Sequence, residues 1–207
     1  MTDDRHLTSQ GIERKQQLLD HAATLFAERG YADTRVLDIV SAAGVAKGLF
    51  YWYFENKEAL FRELVEQNRL NLRKAQARAI DPEAEPLRQI RQGAEASVRY
   101  MAQYANFFAL LEVENIDKHF TDQLRKGTEI HAADVGALIS TGIDAGTIRN
   151  EDPLVAALGV VGTVAYYSHF HRTGRLKVSP DELAAIVGRF VVCALASDES
   201  IARRVLG

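Results

Sequence analysis

One stretch constrains this chain more than any other: Thr34 to Lys57, T-R-V-L-D-I-V-S-A-A-G-V-A-K-G-L-F-Y-W-Y-F-E-N-K. Val36, Ile39 and Val40 recur at helical spacing, Gly44 breaks the run, and Val45, Phe50 and Phe54 resume an apolar face beyond it. Glycine adopts positive φ without steric cost, so Gly44 is the expected turn between two short helices. The second helix, K-G-L-F-Y-W-Y, is short, held by its inward residues and rich in polar tips. That is the form of a helix that enters a DNA groove.

The surrounding chain reads as helix throughout, with only 4 prolines in 207 residues. Leu18, Leu19, Ala22, Leu25 and Phe26 mark one face of a first helix, with Thr8 or Ser9 as its cap and Gly30 as its stop. Thr34 is expected to cap the second helix. Asn56 is expected to cap a fourth running toward Ala79, with Leu60, Phe61, Leu64 and Val65 facing the core. Asp81-Pro82 and Pro86 mark a linker. Beyond it the pattern predicts helices over Leu87 to Tyr104, around Phe107 to Ile116, and from about Thr121 to Ala145. Two more follow, from Pro153 to about His171 and from Ser179-Pro180 to about Ala196. The expected organisation is 1–55 as a helix-turn-helix domain, 56–80 as a connecting helix, and 81–207 as a helical effector-binding and dimerisation domain.

The run G-Y-A-D-T-R-V-L-D-I-V-S-A-A-G-V-A-K-G-L-F-Y-W-Y-F-E-N-K-E-A-L-F resembles the N-terminal DNA-binding domain of the TetR (tetracycline-repressor-like) transcription regulators. The likeness extends without a gap over roughly residues 12 to 61 and rests on Gly30-Tyr31, Thr34, Asp38-Ile39, Ala43-Gly44-Val45, Lys47-Gly48, Tyr51, Phe54 and Asn56-Lys57-Glu58. It implies an all-α fold in two domains, and a repressor that binds a palindromic operator as a homodimer and is released by a small effector. It also implies that Thr34, Tyr51 and Lys57 bind phosphate, and that Arg35, Lys47, Gly48, Leu49, Trp52 and Tyr53 lie near base edges or the flanking backbone.

The residues support those assignments in part. Lys47, Tyr51 and Tyr53 offer donors, Trp52 an amphipathic ring, and Gly48 allows close approach to the groove floor. Phosphate contacts set register and base contacts carry sequence information. Leu49 departs from the family pattern, in which Thr or Ser is usual. As an exposed leucine it would meet a thymine methyl. Ala46 replaces a common serine and so lacks a cap oxygen, and Tyr53 stands where histidine is frequent. The formal charge is −3, so any affinity for DNA must come from a local arrangement of basic groups.

In the second half, Tyr100, Tyr104, Phe107, Phe108 and Leu111 gather at one helix corner, and Tyr166, Tyr167, His169 and Phe170 crowd another helix. The resemblance implies an effector cavity among these helices, and an aromatic lining suits a hydrophobic or aromatic ligand. Ordinary core packing explains the same residues. Glu112 and Glu114 could anchor a cationic ligand, or be solvated or paired. Leu154, Leu158, Val161 and Ala165, then Leu183, Ile186, Val187, Phe190 and Val191, form broad apolar faces, with Gly159, Gly162 and Gly188 allowing close helix approach. The resemblance implies a homodimer built on these two helices. The alternative is that they complete a monomer core.

Other chemistry finds little footing. His169 and His171 point to different faces of a helix, and His119 and His131 lack a partner at i+4, so no metal site is expected. The sequence shows no G-x-S-x-G and no glycine-rich phosphate loop, and Cys193 sits in the apolar run F-V-V-C-A-L, where a thiol is ordinarily inert. No catalytic residue and no cofactor are expected. The N-terminal M-T-D-D-R-H has no apolar block, and the single cysteine suits a reducing cytoplasm. Pro153 to Phe170 carries no Asp, Glu, Lys or Arg, at the lower edge of a membrane-spanning length, but reads better as a buried or interface helix. The rival reading is a helical small-molecule carrier or enzyme that retains a helix-turn-helix-like N-terminus.

Overall fold

The computed structural model describes residues 8–111 and 118–207, with 118–126 as backbone alone. The described residues form α1 (Ser9–Arg29), α2 (Val36–Ala42), α3 (Lys47–Tyr53), α4 (Lys57–Ala79), α5 (Pro86–Gln103), α6 (Ala105–Leu111), α7 (Lys118–Asp144), α8 (Pro153–Arg172), α9 (Pro180–Leu195) and α10 (Glu199–Leu206). The fold is all-α, as the periodicity predicts. Two compact units divide within α4, after Asn68, and α6 groups with the first.

The first unit is built on the apolar stripe of α1. Leu18, Leu19, Ala22, Leu25 and Phe26 are all buried, as are Ile39 and Val40 of α2, Phe50 of α3, then Phe54, and Leu60, Phe61 and Leu64 of α4. Phe26, Tyr31 and Phe61 meet with ring centroids 5.1 to 5.8 Å apart. Each fully buried phenylalanine of this kind contributes about 1.5–3 kcal/mol. Val65, expected in the core, is only half-buried. The turn between α2 and α3 closes where Gly44 takes φ +64°. Val45 N–H then donates to Val40 O at 3.0 Å.

Two caps behave as expected: Thr8 accepts from the Gly11 N–H, and Asn56 from the Ala59 N–H. The cap assigned to Thr34 does not form. The residue preceding α2 is Arg35, whose N–H donates to Asp38 Oδ2 at 2.8 Å. Thr34 turns inward instead.

In the second unit α5 lies against α7, α8 and α9. Leu87, Ile90, Ala94 and Val98 of α5 meet Leu183, Val187, Val191 and Val192 of α9, with Ala157, Val160 and Val164 of α8 and Ile139 of α7 completing the core. Gly188 permits the α5–α9 approach, because a Cβ there would strike the side chain of Glu95. Gln76, on the part of α4 in this unit, donates from Nε2 to the buried Ser97 Oγ at 2.8 Å.

The sequence reading stops at about Ala196, but the chain continues into α10, capped by Asp198, with Ala202 and Val205 buried. Arg91 of α5 donates to Val205 O at 2.7 Å. An isolated antiparallel bridge joins Ile148 and Ala196. Glu112 and Glu114, the end of the helix expected to reach Ile116, and the side chain of His119 lie outside the described residues.

The apolar residues of α8 and α9 split between two faces. Leu183, Val187 and Val191 point into the core, whereas Leu154, Leu158, Ile186 and Phe190 are exposed, as are Val155 and Tyr166. By length and composition α8 could cross a membrane. Its apolar character follows equally from serving a core on one side and a second apolar face on the other. Cys193 is exposed on α9, not buried as its apolar neighbours suggest.

Candidate nucleic-acid interface

The site is α3 and the residues on either side of it. Phe50 is buried and fixes the helix from below, with Phe54 5.5 Å away, ring to ring. Around that anchor the remaining side chains turn outward. Tyr51 and Trp52 are 50% and 48% exposed, and Lys47 and Gly48 are exposed as well. Lys47 Nζ lies 5.8 Å from the centroid of Tyr51, one turn on, within cation–π range. The Trp52 and Tyr53 rings meet edge-on at 4.6 Å. Tyr53 and Leu49 are half-buried, so Leu49 is less open than expected, although its outer part remains accessible. Ala46 occupies the N-cap of α3 with no side-chain hydrogen bond, as its lost hydroxyl predicts.

Two of the residues assigned to phosphate have other roles. Thr34 is 0% exposed, and its hydroxyl donates to Gly30 O at 2.8 Å and Leu25 O at 3.3 Å. A side chain so enclosed cannot reach a phosphate; it ties the end of α1 to the start of α2. Lys57 is half-buried, and its ammonium donates to Tyr31 O at 2.6 Å and Thr34 O at 2.7 Å, with Ala32 O at 3.4 Å. It also sits 4.2 Å over the Tyr31 ring. Burial lowers its pKa from the ordinary lysine value, an effect opposed by the Asp33 carboxylate. Lys57 is thus a clamp on the α1–α2 turn. Loop carbonyls are prominent among its partners because no helix satisfies them.

Arg35 is exposed at the start of α2, beside Leu37, which is 60% exposed. Leu37 was legible as an outlier, since Val36, Ile39 and Val40 already fill the inward face. Exposed Lys47, Gly48, Tyr51 and Trp52, with half-buried Leu49 and Tyr53, put donors and aromatic edges on the outer side of α3.

The residues expected around an effector fall in both units. Tyr100 is buried, with Tyr104 4.5 Å away, ring to ring; burial, then Tyr104, pushes its phenol up to about 12. Phe107, Phe108 and Leu111 belong to the first unit, Tyr100 and Tyr104 to the second. Tyr166 is 69% exposed and cannot line an interior cavity in this chain. Tyr167 packs on the core and faces Phe190 at 6.2 Å, while Phe170 lies 5.3 Å from His169 and under Arg175. A cleft of about 340 Å³ lies elsewhere, between Arg88, Arg91, Gln92 and Glu95 of α5 and Val205 to Gly207. Among the described residues no three His, Cys, Asp or Glu side chains are grouped to hold a metal.

Comparison with known proteins accords with this geometry. Residues 18–64 match the family model of the bacterial regulatory proteins, tetR family. Among curated proteins, the probable acrEF/envCD operon repressor of Escherichia coli K12 is 30% identical over 117 residues, 56% of this chain and 53% of that protein. The HTH-type transcriptional repressor KstR2 of Rhodococcus jostii is 48% identical over 58 residues, 28% of each chain. The chain thus spans about half the length, or less, of these curated relatives. Over nearly the whole chain the fold resembles the fatty acid degradation regulator FadR from Bacillus halodurans, with a TM-score of 0.77 at 19% identity, covering 86% of this chain and 94% of that one. It also resembles SmeT, the repressor of the Stenotrophomonas maltophilia multidrug efflux pump SmeDEF, with a TM-score of 0.74 at 20% identity and coverage of 90% and 92%. At such identities the structural likeness speaks for the fold. Over residues 18–64, its N-terminal helix-turn-helix domain, the chain thus matches the tetR family of bacterial regulatory proteins.

Proposed function

We propose that this protein is a cytoplasmic, non-enzymatic transcriptional repressor that binds a palindromic operator as a homodimer and leaves it when a small hydrophobic or aromatic effector binds the helical second unit. The observation that carries the reading is the outward face of α3. Lys47, Tyr51 and Trp52 are held in solvent by a buried Phe50, within a stretch that matches a DNA-binding family. An aromatic and cationic face left about half exposed in this way suits a partner outside its own unit.

The dimer is supported by the exposed apolar stripe of α8 and α9: Leu154, Val155, Leu158 and Tyr166, with Ile186 and Phe190. A palindromic operator asks such a dimer to present its two α3 helices about 34–36 Å apart, one DNA turn. An effector then acts by favouring a conformation whose half-site separation no longer fits. Operator affinity falls by the ratio of the effector's affinities for the two states and by no more. This chain's residues supply the groove contacts and the dimer face; no chemical step is involved.

The test is recovery of bound fragments from the host's own DNA, followed by gel shifts with the Lys47→Ala and Tyr51→Ala variants. A palindrome is expected, with affinity reduced roughly tenfold in each variant and a shallower salt dependence for Lys47→Ala. Unchanged affinity in both variants would overturn the site.

A further inference from the structure

Resting on the reading above, we infer that α3 recognises its operator chiefly through thymine methyl groups, with a guanine beside them at the Lys47 end. The inference starts from what α3 lacks. Reading adenine in the major groove calls for a carboxamide that donates and accepts at once, and reading cytosine for a carboxylate or other acceptor. The seven residues Lys47–Tyr53 include no Asn, Gln, Asp or Glu. The carboxylate of α2, Asp38, accepts from the Arg35 N–H through Oδ2 at 2.8 Å and so is held toward the start of its own helix. Lys47 can bond guanine O6 and N7, and the tyrosine hydroxyls can make single bonds to several bases.

The one apolar group that any base presents in the major groove is the thymine methyl. Leu49 and Trp52 are three residues apart and so share one face of the helix. Both keep apolar surface open to solvent: Trp52 is 48% exposed and Leu49 half-buried. Gly48 lies immediately before Leu49 and one turn before Trp52. A Cβ built on it meets nothing within 4 Å, so the packing of this chain does not require a glycine there. Glycine in a helix is less stable than alanine. An open notch that the fold does not fill, flanked by a leucine and an indole, fits the close approach of a methyl-bearing base edge.

The experiment uses the full chain and a randomised duplex pool. Bound sequences are enriched, then remade with uracil in place of thymine, which removes the methyls and leaves base pairing intact. Affinity for the uracil duplexes is expected to fall by about tenfold or more, since each lost methyl contact weakens binding about fourfold. The thymine preference is expected to shrink toward unity in Leu49→Ser, and in Trp52→Gln should the leucine variant fail to fold. Enriched sequences that bind equally with uracil would overturn the methyl inference while leaving the DNA-binding reading intact. A pool that yields no enriched sequence would overturn both.

Discussion

Replacing Lys57 by methionine separates the two roles this residue could have. The substitution keeps the apolar stem and removes the ammonium. What is lost is visible: hydrogen bonds to Tyr31 O and Thr34 O at 2.6 and 2.7 Å, and the contact with the Tyr31 ring at 4.2 Å. A hydrogen bond from a charged donor contributes about 1.5–3 kcal/mol when well enclosed, and a cation–π contact about 0.5–1 kcal/mol. The site is only half-buried, so solvent replaces part of this, and a loss of about 2–3 kcal/mol is expected from the first unit. The chain's single tryptophan, Trp52, lies in that unit and reports on it alone, which matters because a chain of two units need not unfold in one step. Urea unfolding followed by Trp52 fluorescence should show a midpoint lowered by about 1–2 M with the slope unchanged. An unmoved midpoint together with lost DNA binding would refute the clamp and return Lys57 to the phosphate backbone.

Further outcomes follow from the same geometry. Gly48→Ala should raise the stability of the first unit by about 0.5–1 kcal/mol while weakening operator binding, as read by urea unfolding and gel shift. Gly142→Ala should destabilise the second unit by about 1–3 kcal/mol, because the new methyl would collide with the buried Ile148; thermal unfolding checks this. Leu158→Glu combined with Phe190→Glu should convert a dimer to monomer in sedimentation, with helicity retained, since both side chains are about half exposed in the single chain. The His131 pKa lies below its ordinary 6.5, mainly through burial, with Asp134 opposing and Arg73 reinforcing the shift. The folded state therefore resists protonating it. The stability it contributes is present above pH 6.5 and is lost as the pH falls from there through the lowered value, so His131→Gln should flatten the acid limb of a stability–pH profile.

The sequence alone determined the elements. Apolar residues spaced at three and four placed α1 and α4, because one buried face per helix leaves a periodic trace, while prolines and caps bounded α5, α8 and α9, all within a residue or two of their observed ends. Gly44 and Asn56 marked a turn and a cap by local chemistry that needs no tertiary partner. The outward character of Lys47, Tyr51 and Trp52 was legible for the same reason: Phe50 alone satisfied the inward face of α3. Only the tertiary structure decided which polar groups are used up inside. Thr34 and Lys57 read as ligands for phosphate until the carbonyls of Leu25, Gly30 and Tyr31 came within reach of them. It likewise decided which side of α8 and α9 is core, since a helix that is apolar all round carries no period to read. Charge and periodicity are properties of a stretch of chain, whereas the partner of a donor is a property of the fold.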